Sequence, residues 1–154
     1  MKRTLKQVKE LFIADTIARK GNKSANAPII KLIELVGNDN ATIECETNIK
    51  GTCLNRGATV ECLIKLLLNK TDNASKVNDN SVADMIIKGV NYEIKYSSSK
   101  GYAHYNPRQD LSHLIFVDNT GVYLTSGKNI LLDKCGKHIQ TIVMNNNVKV
   151  LYTF

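Results

Sequence analysis

Asp84, Glu93 and Lys95 lie close together in the stretch from Ser81 to Ser97, and their side-chain types suit metal-dependent hydrolysis of a phosphodiester. That chemistry needs a divalent cation beside the developing charge, a water made nucleophilic, and help for the leaving oxygen. Magnesium takes oxygen ligands and keeps several waters, so two carboxylates and one main-chain carbonyl suffice. Asp84 and Glu93 are the candidate carboxylates, and Ile94 offers the carbonyl. Lys95, two residues past Glu93, is placed to orient or polarise the attacking water. Glu61, further upstream, is a candidate for a second metal or a metal-bound water.

These groups must be positioned by local structure. The stretch reads as two strands joined by a tight turn, with Gly89-Val90 as a two-residue type II′ loop. In that register Lys88 pairs with Asn91, Ile86 with Glu93, and Asp84 with Lys95. Alternation then puts Asp84, Ile86, Lys88, Asn91, Glu93 and Lys95 on one face. Met85, Ile87, Tyr92, Ile94 and Tyr96 form the other, a candidate core face.

Upstream, Thr4 to Arg19 carries Leu5, Val8 and Phe12 at helical spacing, with Gly21 and a polar run after it. A second helix is expected after Asn26, with Pro28 in its first turn and Gly37 as its stop. A third, over about Gly57 to Asn69, takes Asn55 as its cap and carries Glu61 as its only acid. Thr42 to Glu46 reads as a short strand, and Lys70 to Asn80 as a loop or weak edge strand. Downstream, Leu114 to Val117 and Val122 to Thr125 read as paired strands. Ile139 to Met144 and Val148 to Tyr152 read as a second hairpin around Asn145-Asn146-Asn147. Asn106-Pro107 resembles a helix start.

The chain has 154 residues, 43% hydrophobic and 23% charged, which suits one globular domain over 1–154. No apolar run reaches the length of a membrane span, and Leu11-Phe12-Ile13-Ala14 is too short for a signal segment. An intracellular, cytoplasmic protein with no membrane partner is expected. Net charge is +7 and the pI is about 9.2, favouring a polyanionic partner such as DNA. Lys2, Arg3, Lys6, Lys9, Arg19, Lys20 and Lys23 gather near the N-terminus, against Glu10 and Asp15. The four cysteines form no C-x-x-C pair and read as reduced, mostly buried thiols. Neither His113 nor His138 has a nucleophile at a convincing spacing, and no phosphate-binding P-loop exists.

Gly57-x-x-x-Glu61 on a helix, then Asp84, then Glu93-Ile94-Lys95 in a hairpin, resembles the PD-(D/E)XK nuclease superfamily. The resemblance spans Gly57 to Ser97. It implies an α/β fold with a central, mostly mixed β-sheet and flanking helices. A restriction endonuclease-like core over 51–154 would follow a helical extension over 1–40. It also implies a DNA endonuclease using Mg²⁺, with Mn²⁺ as a substitute, and a homodimer if both strands of a duplex are cut. Asp84 stands for the first acid of the motif, Glu93 for the second, Lys95 for the lysine, and Glu61 for the helix acid. Ala83 stands where the motif has its proline. The helix usual after the E-x-K strand has little room between Ser98 and Ser112, where Pro107 interrupts. Lys100, His104 and Arg108 are the candidate phosphate contacts of that segment, with Tyr105 beside them.

Two other readings use the same residues differently. One is a catalytically idle DNA-binding protein on a nuclease-like scaffold, or an inhibitor of another nucleic-acid enzyme. The other is a structural or assembly protein, in which Asp84, Glu93 and Lys95 are only a cross-strand charge cluster.

Overall fold

The computed structural model describes residues 2–45, 55–75, 84–98, 102–104, 112–126, 130–132, 138–141 and 148–154. The chain divides into two compact units, Met1–Val77 and Asn78–Phe154. Helices and strands together make it α/β. No described helix is long and apolar enough to cross a membrane.

The first unit opens with strand β1 (Lys2–Thr4) and helix α1 (Leu5–Ala18). Thr4 closes a capping box on α1: its hydroxyl accepts the Gln7 N–H, and Gln7 Oε1 accepts the Thr4 N–H at 3.0 Å. At the other end Lys23 Nζ donates to the carbonyls of Thr16 and Ile17, where a cation suits the helix dipole. Leu5, Val8 and Phe12 are fully buried, whereas Ile13 and Ile17 are exposed. Helix α2 (Ala27–Val36) has Pro28 in its first turn and ends at Gly37, whose φ of 69° is the left-handed value a glycine takes cheaply.

Strand β2 (Thr42–Glu44), helix α3 (Arg56–Asn69) and strand β3 (Asn73–Ser75) form a parallel strand–helix–strand unit. Asn55 caps α3 by accepting the Ala58 N–H at 3.0 Å. Lys65 Nζ on α3 donates to the Ser75 carbonyl on β3. The sheet order is β1-β2-β3, so β2 is central and β1 and β3 are the edges. The third helix therefore belongs with the first two, and not with the residues after 77.

A polar cluster joins the three helices. Asn26, fully buried before α2, donates its amide to Phe12 O, Asp15 Oδ2 and Thr16 Oγ1 on α1. Arg56, opening α3, donates to Asn26 Oδ1 at 2.7 Å and to Asp15 Oδ2 at 2.9 Å. Thus Asn26 leaves its capping role unfilled because its side chain is used between helices.

The second unit holds a five-stranded sheet and a smaller one. The hairpin strands are β4 (Met85–Ile87) and β5 (Val90–Tyr96). Strand β6 (Tyr102–His104) follows, then β7 (Leu114–Asp118) and β8 (Gly121–Thr125). Strands β9 (Ile130–Leu132), β10 (His138–Thr141) and β11 (Lys149–Thr153) complete the chain. The large sheet runs β11-β8-β7-β5-β4, mixed because only β5 and β7 are parallel. Every residue of β7, the central strand, is buried.

Among the described residues, 139–141 does not pair with β11, and the rest of the expected 139–144 strand, with its Asn145-Asn146-Asn147 turn, lies outside them. Strand β10 lies between β6 and β9, and β11 instead pairs with β8. Strand pairing across long separations is chosen by tertiary contacts, which local alternation does not record. The Leu114–Thr125 hairpin forms as expected, turning at Asn119-Thr120. There Asp118 Oδ1 accepts both the N–H and the hydroxyl of Thr120. The Asn106-Pro107 helix start lies outside the described residues.

Candidate active site at the Asp84–Lys95 hairpin

The turn between β4 and β5 is Lys88-Gly89, with Ile87 opposite Val90 and Ile86 opposite Asn91. Both turn residues have positive φ, 49° and 78°, as a type I′ loop requires. The expected Gly89-Val90 loop is thus displaced by one residue. Glycine serves at either central position, and Lys88 tolerates the left-handed value, so glycine alone did not fix the loop. Every partner moves by two positions, and two is the side-chain period of a strand. Asn91, Glu93 and Lys95 therefore keep the face expected of them, while the partner of Ile86 changes from Glu93 to Asn91.

Continuing this register brings Asp84 opposite Glu93, in place of Lys95. The Asp84 carboxylate accepts the Ile94 N–H through Oδ2 at 2.9 Å. The Glu93 N–H points the other way, to the His113 carbonyl at 3.0 Å beside β7. Since N–H and C=O of one strand residue face the same edge, the Ile94 carbonyl is directed to the side where Asp84 sits. One edge of β5 thus receives a carboxylate, next to a main-chain carbonyl, between Glu93 and Lys95 in sequence.

Glu93 is buried, with 7% of its surface exposed, and Lys95 is half-buried. The neighbours fix both. Glu93 stands beside Leu114 and Lys95 beside Phe116, both fully buried residues of β7. One strand further on, Thr125 faces Leu114, completing a row with Glu93. Its hydroxyl is buried with no hydrogen-bond partner among the described residues. Tyr92, on the opposite face of β5 from Glu93, meets the His113 ring edge-on at 5.4 Å.

The other expected site residues are distributed as follows. Glu61 is half-buried on α3, in the first unit, and belongs to a different compact unit from Asp84, Glu93 and Lys95. His104 is in β6, its backbone opposite His138 of β10. Lys100, Tyr105 and Arg108 lie outside the described residues.

As a cation site, the hairpin offers two carboxylates and a carbonyl, a donor set that suits a hard ion retaining waters. Among the described residues, no three His, Cys, Asp or Glu side chains gather to hold a metal ion. Any ion here would therefore depend on the main-chain oxygen and on water. The sequence reading missed the contribution of the Asp84 carboxylate to the β5 backbone, for which no residue pattern gives a signal.

No protein-family model matches the chain, and no curated protein matches it.

Proposed function

We propose that this chain is a metal-dependent DNA endonuclease with a restriction endonuclease-like core, as its resemblance to PD-(D/E)XK nucleases implies. The observation that carries the reading is the Asp84 carboxylate bound to the Ile94 N–H, which brings the first acid to the Glu93-Ile94-Lys95 segment. The parallel pairing of β5 with β7 is a second support. Parallel strands need a crossover between them, as the resemblance also requires, although the described part of that segment is strand β6 and not a helix.

In this proposal Asp84, Glu93 and the Ile94 carbonyl would hold Mg²⁺ or Mn²⁺. The bound ion supplies charge stabilisation at the phosphate and a more acidic water. Lys95 orients the attacking water and offsets negative charge as the phosphate oxygens gain it. Burial of Glu93 strengthens its electrostatic interactions by removing competing water. Glu61 enters from the resemblance alone, as the helix acid. The basic charge of the chain favours a polyanionic substrate, and a duplex cut on both strands calls for a homodimer.

The test is cleavage of supercoiled plasmid DNA with Mg²⁺ or Mn²⁺ and with chelator. Parent protein nicks or linearises the plasmid only with the ion. Asp84→Ala and Lys95→Ala lose the activity while keeping the parent's circular dichroism. Equal cleavage by parent and both variants would refute the assignment.

A further inference from the structure

The first unit contains a pair of nucleophiles that the proposed nuclease chemistry leaves unused. Cys45 is the residue after β2, and Cys62 lies in the middle of α3. Their sulfurs are 3.0 Å apart, both are free thiols, and both are buried. Seventeen positions separate them in sequence. The β2–α3–β3 unit brings them together, because its crossover helix packs back on its own strands.

The surroundings make the two sulfurs unequal. Cys45 Sγ also lies 3.6 Å from the Ala58 carbonyl, to which its S–H donates. Cys62 has no exposed surface, whereas Cys45 retains 6%. Hydrogen bonding from the Cys62 thiol holds the Cys45 thiol below its ordinary acidity range, with help from Thr59 and Lys65 against burial and Glu61. Cys62 is pushed up by the same contact and by burial. Two free thiols in contact, of which Cys45 keeps some exposed surface, are an arrangement suited to disulfide exchange.

We propose that Cys45 and Cys62 form a redox pair that closes to an intramolecular disulfide when a small disulfide oxidant, of the glutathione disulfide class, meets the protein. The Cys45 thiolate attacks one sulfur of the oxidant, breaking its S–S bond and releasing one thiolate. Cys62 then gives its proton to the departing thiolate and attacks the Cys45 sulfur of the mixed disulfide. The Cys45–Cys62 bond forms, the Cys45–oxidant S–S bond breaks, and the second oxidant sulfur leaves as a thiolate that takes up the proton Cys45 had lost to water. Two protein thiols lose two protons and two electrons, and the oxidant takes them up and leaves as two thiols. The product ties the end of β2 to α3, the helix that carries Glu61.

The experiment equilibrates the full native chain with glutathione disulfide, blocks remaining thiols by alkylation, and maps the peptides by mass spectrometry. The expected product joins Cys45 to Cys62 and is two hydrogens lighter than the reduced pair. Closing this interval should raise the melting temperature of the oxidised protein by about 5 °C or more. The rise is absent in Cys62→Ser and is reversed by dithiothreitol. Recovery of Cys45 and Cys62 both alkylated, or joined only to Cys53 or Cys135, would overturn the proposal. This mapping needs no nuclease activity, so its outcome is independent of the hairpin site.

Discussion

Asp84 and Ile94 are joined side chain to main chain: a carboxylate oxygen of one accepts the N–H of the other at 2.9 Å. The same acid is thus a structural acceptor and a proposed ion ligand, and the two roles are separable. An asparagine keeps an oxygen for the Ile94 N–H and removes the charge. Asp84→Asn should therefore leave stability within about 0.5 kcal/mol of the parent. Metal-dependent cleavage should fall by about 100-fold or more. The comparison pairs urea unfolding with plasmid nicking, and unchanged nicking would count against Asp84 as a ligand.

Lys95→Ala addresses the water rather than the ion. A positioned proton-transfer or water-orienting group typically contributes about 100-fold or more to rate. Cleavage should drop on that scale, while the heat of Mn²⁺ binding by calorimetry stays close to that of the parent. Loss of Mn²⁺ binding in Lys95→Ala would assign the lysine to holding the site together.

Lys88→Asn should stabilise the hairpin by about 0.5 kcal/mol. Lys88 holds a left-handed φ of 49°, and asparagine before glycine is the favoured pair for a type I′ loop. A higher midpoint in chemical denaturation checks this. A lower one would argue for a loop at Gly89-Val90.

Asp15 gives the first unit a pH dependence. The Asn26 amide, and after it Arg56 and Arg19, hold its carboxyl below its ordinary value of 3.8, against the opposing effect of burial. A lowered folded value means that stability is fully present above 3.8 and is lost as pH falls through the lower value. Asp15→Asn should cost about 1–3 kcal/mol at pH 7, since it removes a charged partner of Arg56. The gap should close in acid below 3.8. Urea unfolding of parent and variant from pH 7 to pH 2.5 measures it.

Two substitutions in the large sheet should act in opposite directions. A Cβ added at Gly121 meets the Tyr152 carbonyl, a backbone atom that cannot swing aside. Gly121→Ala should destabilise the β8–β11 pairing by about 1–3 kcal/mol. Thr125→Val replaces a buried hydroxyl that has no partner among the described residues with a methyl of similar size. It should be neutral or stabilising by up to about 1 kcal/mol. Thermal melting of the two variants separates these outcomes.

The helices were legible because their signals are local. Thr4, Asn55 and Gly37 act within one turn of the ends that they mark, and Leu5, Val8 and Phe12 are buried at the spacing that the sequence shows. The face shared by Glu93 and Lys95 was legible for a similar reason, since alternation survives a displaced turn. Their cross-strand partners were not, because a lysine occupies a backbone region that its side chain does not advertise. Strands β6 and β9 were hidden because each has only three residues, too few for alternation to show. Strand β10 was legible as a strand, but not its pairing with β6, more than thirty residues away. The meeting of Cys45 with Cys62 likewise depends on the path of the crossover, which spacing does not encode.

The parallel union of β5 with β7 also sets the order in which the sheet condenses. The β4–β5 and β7–β8 hairpins each close over two residues, so their nucleation is fast and local. Joining β5 to β7 must first bring Glu93 beside Leu114 across the whole intervening segment, at a higher entropic cost. The proposed catalytic strand is then the late arrival at a core already begun by its neighbour. The Asn119-Thr120 turn is where a mutation should slow folding, whereas changes around Glu93 should chiefly hasten unfolding.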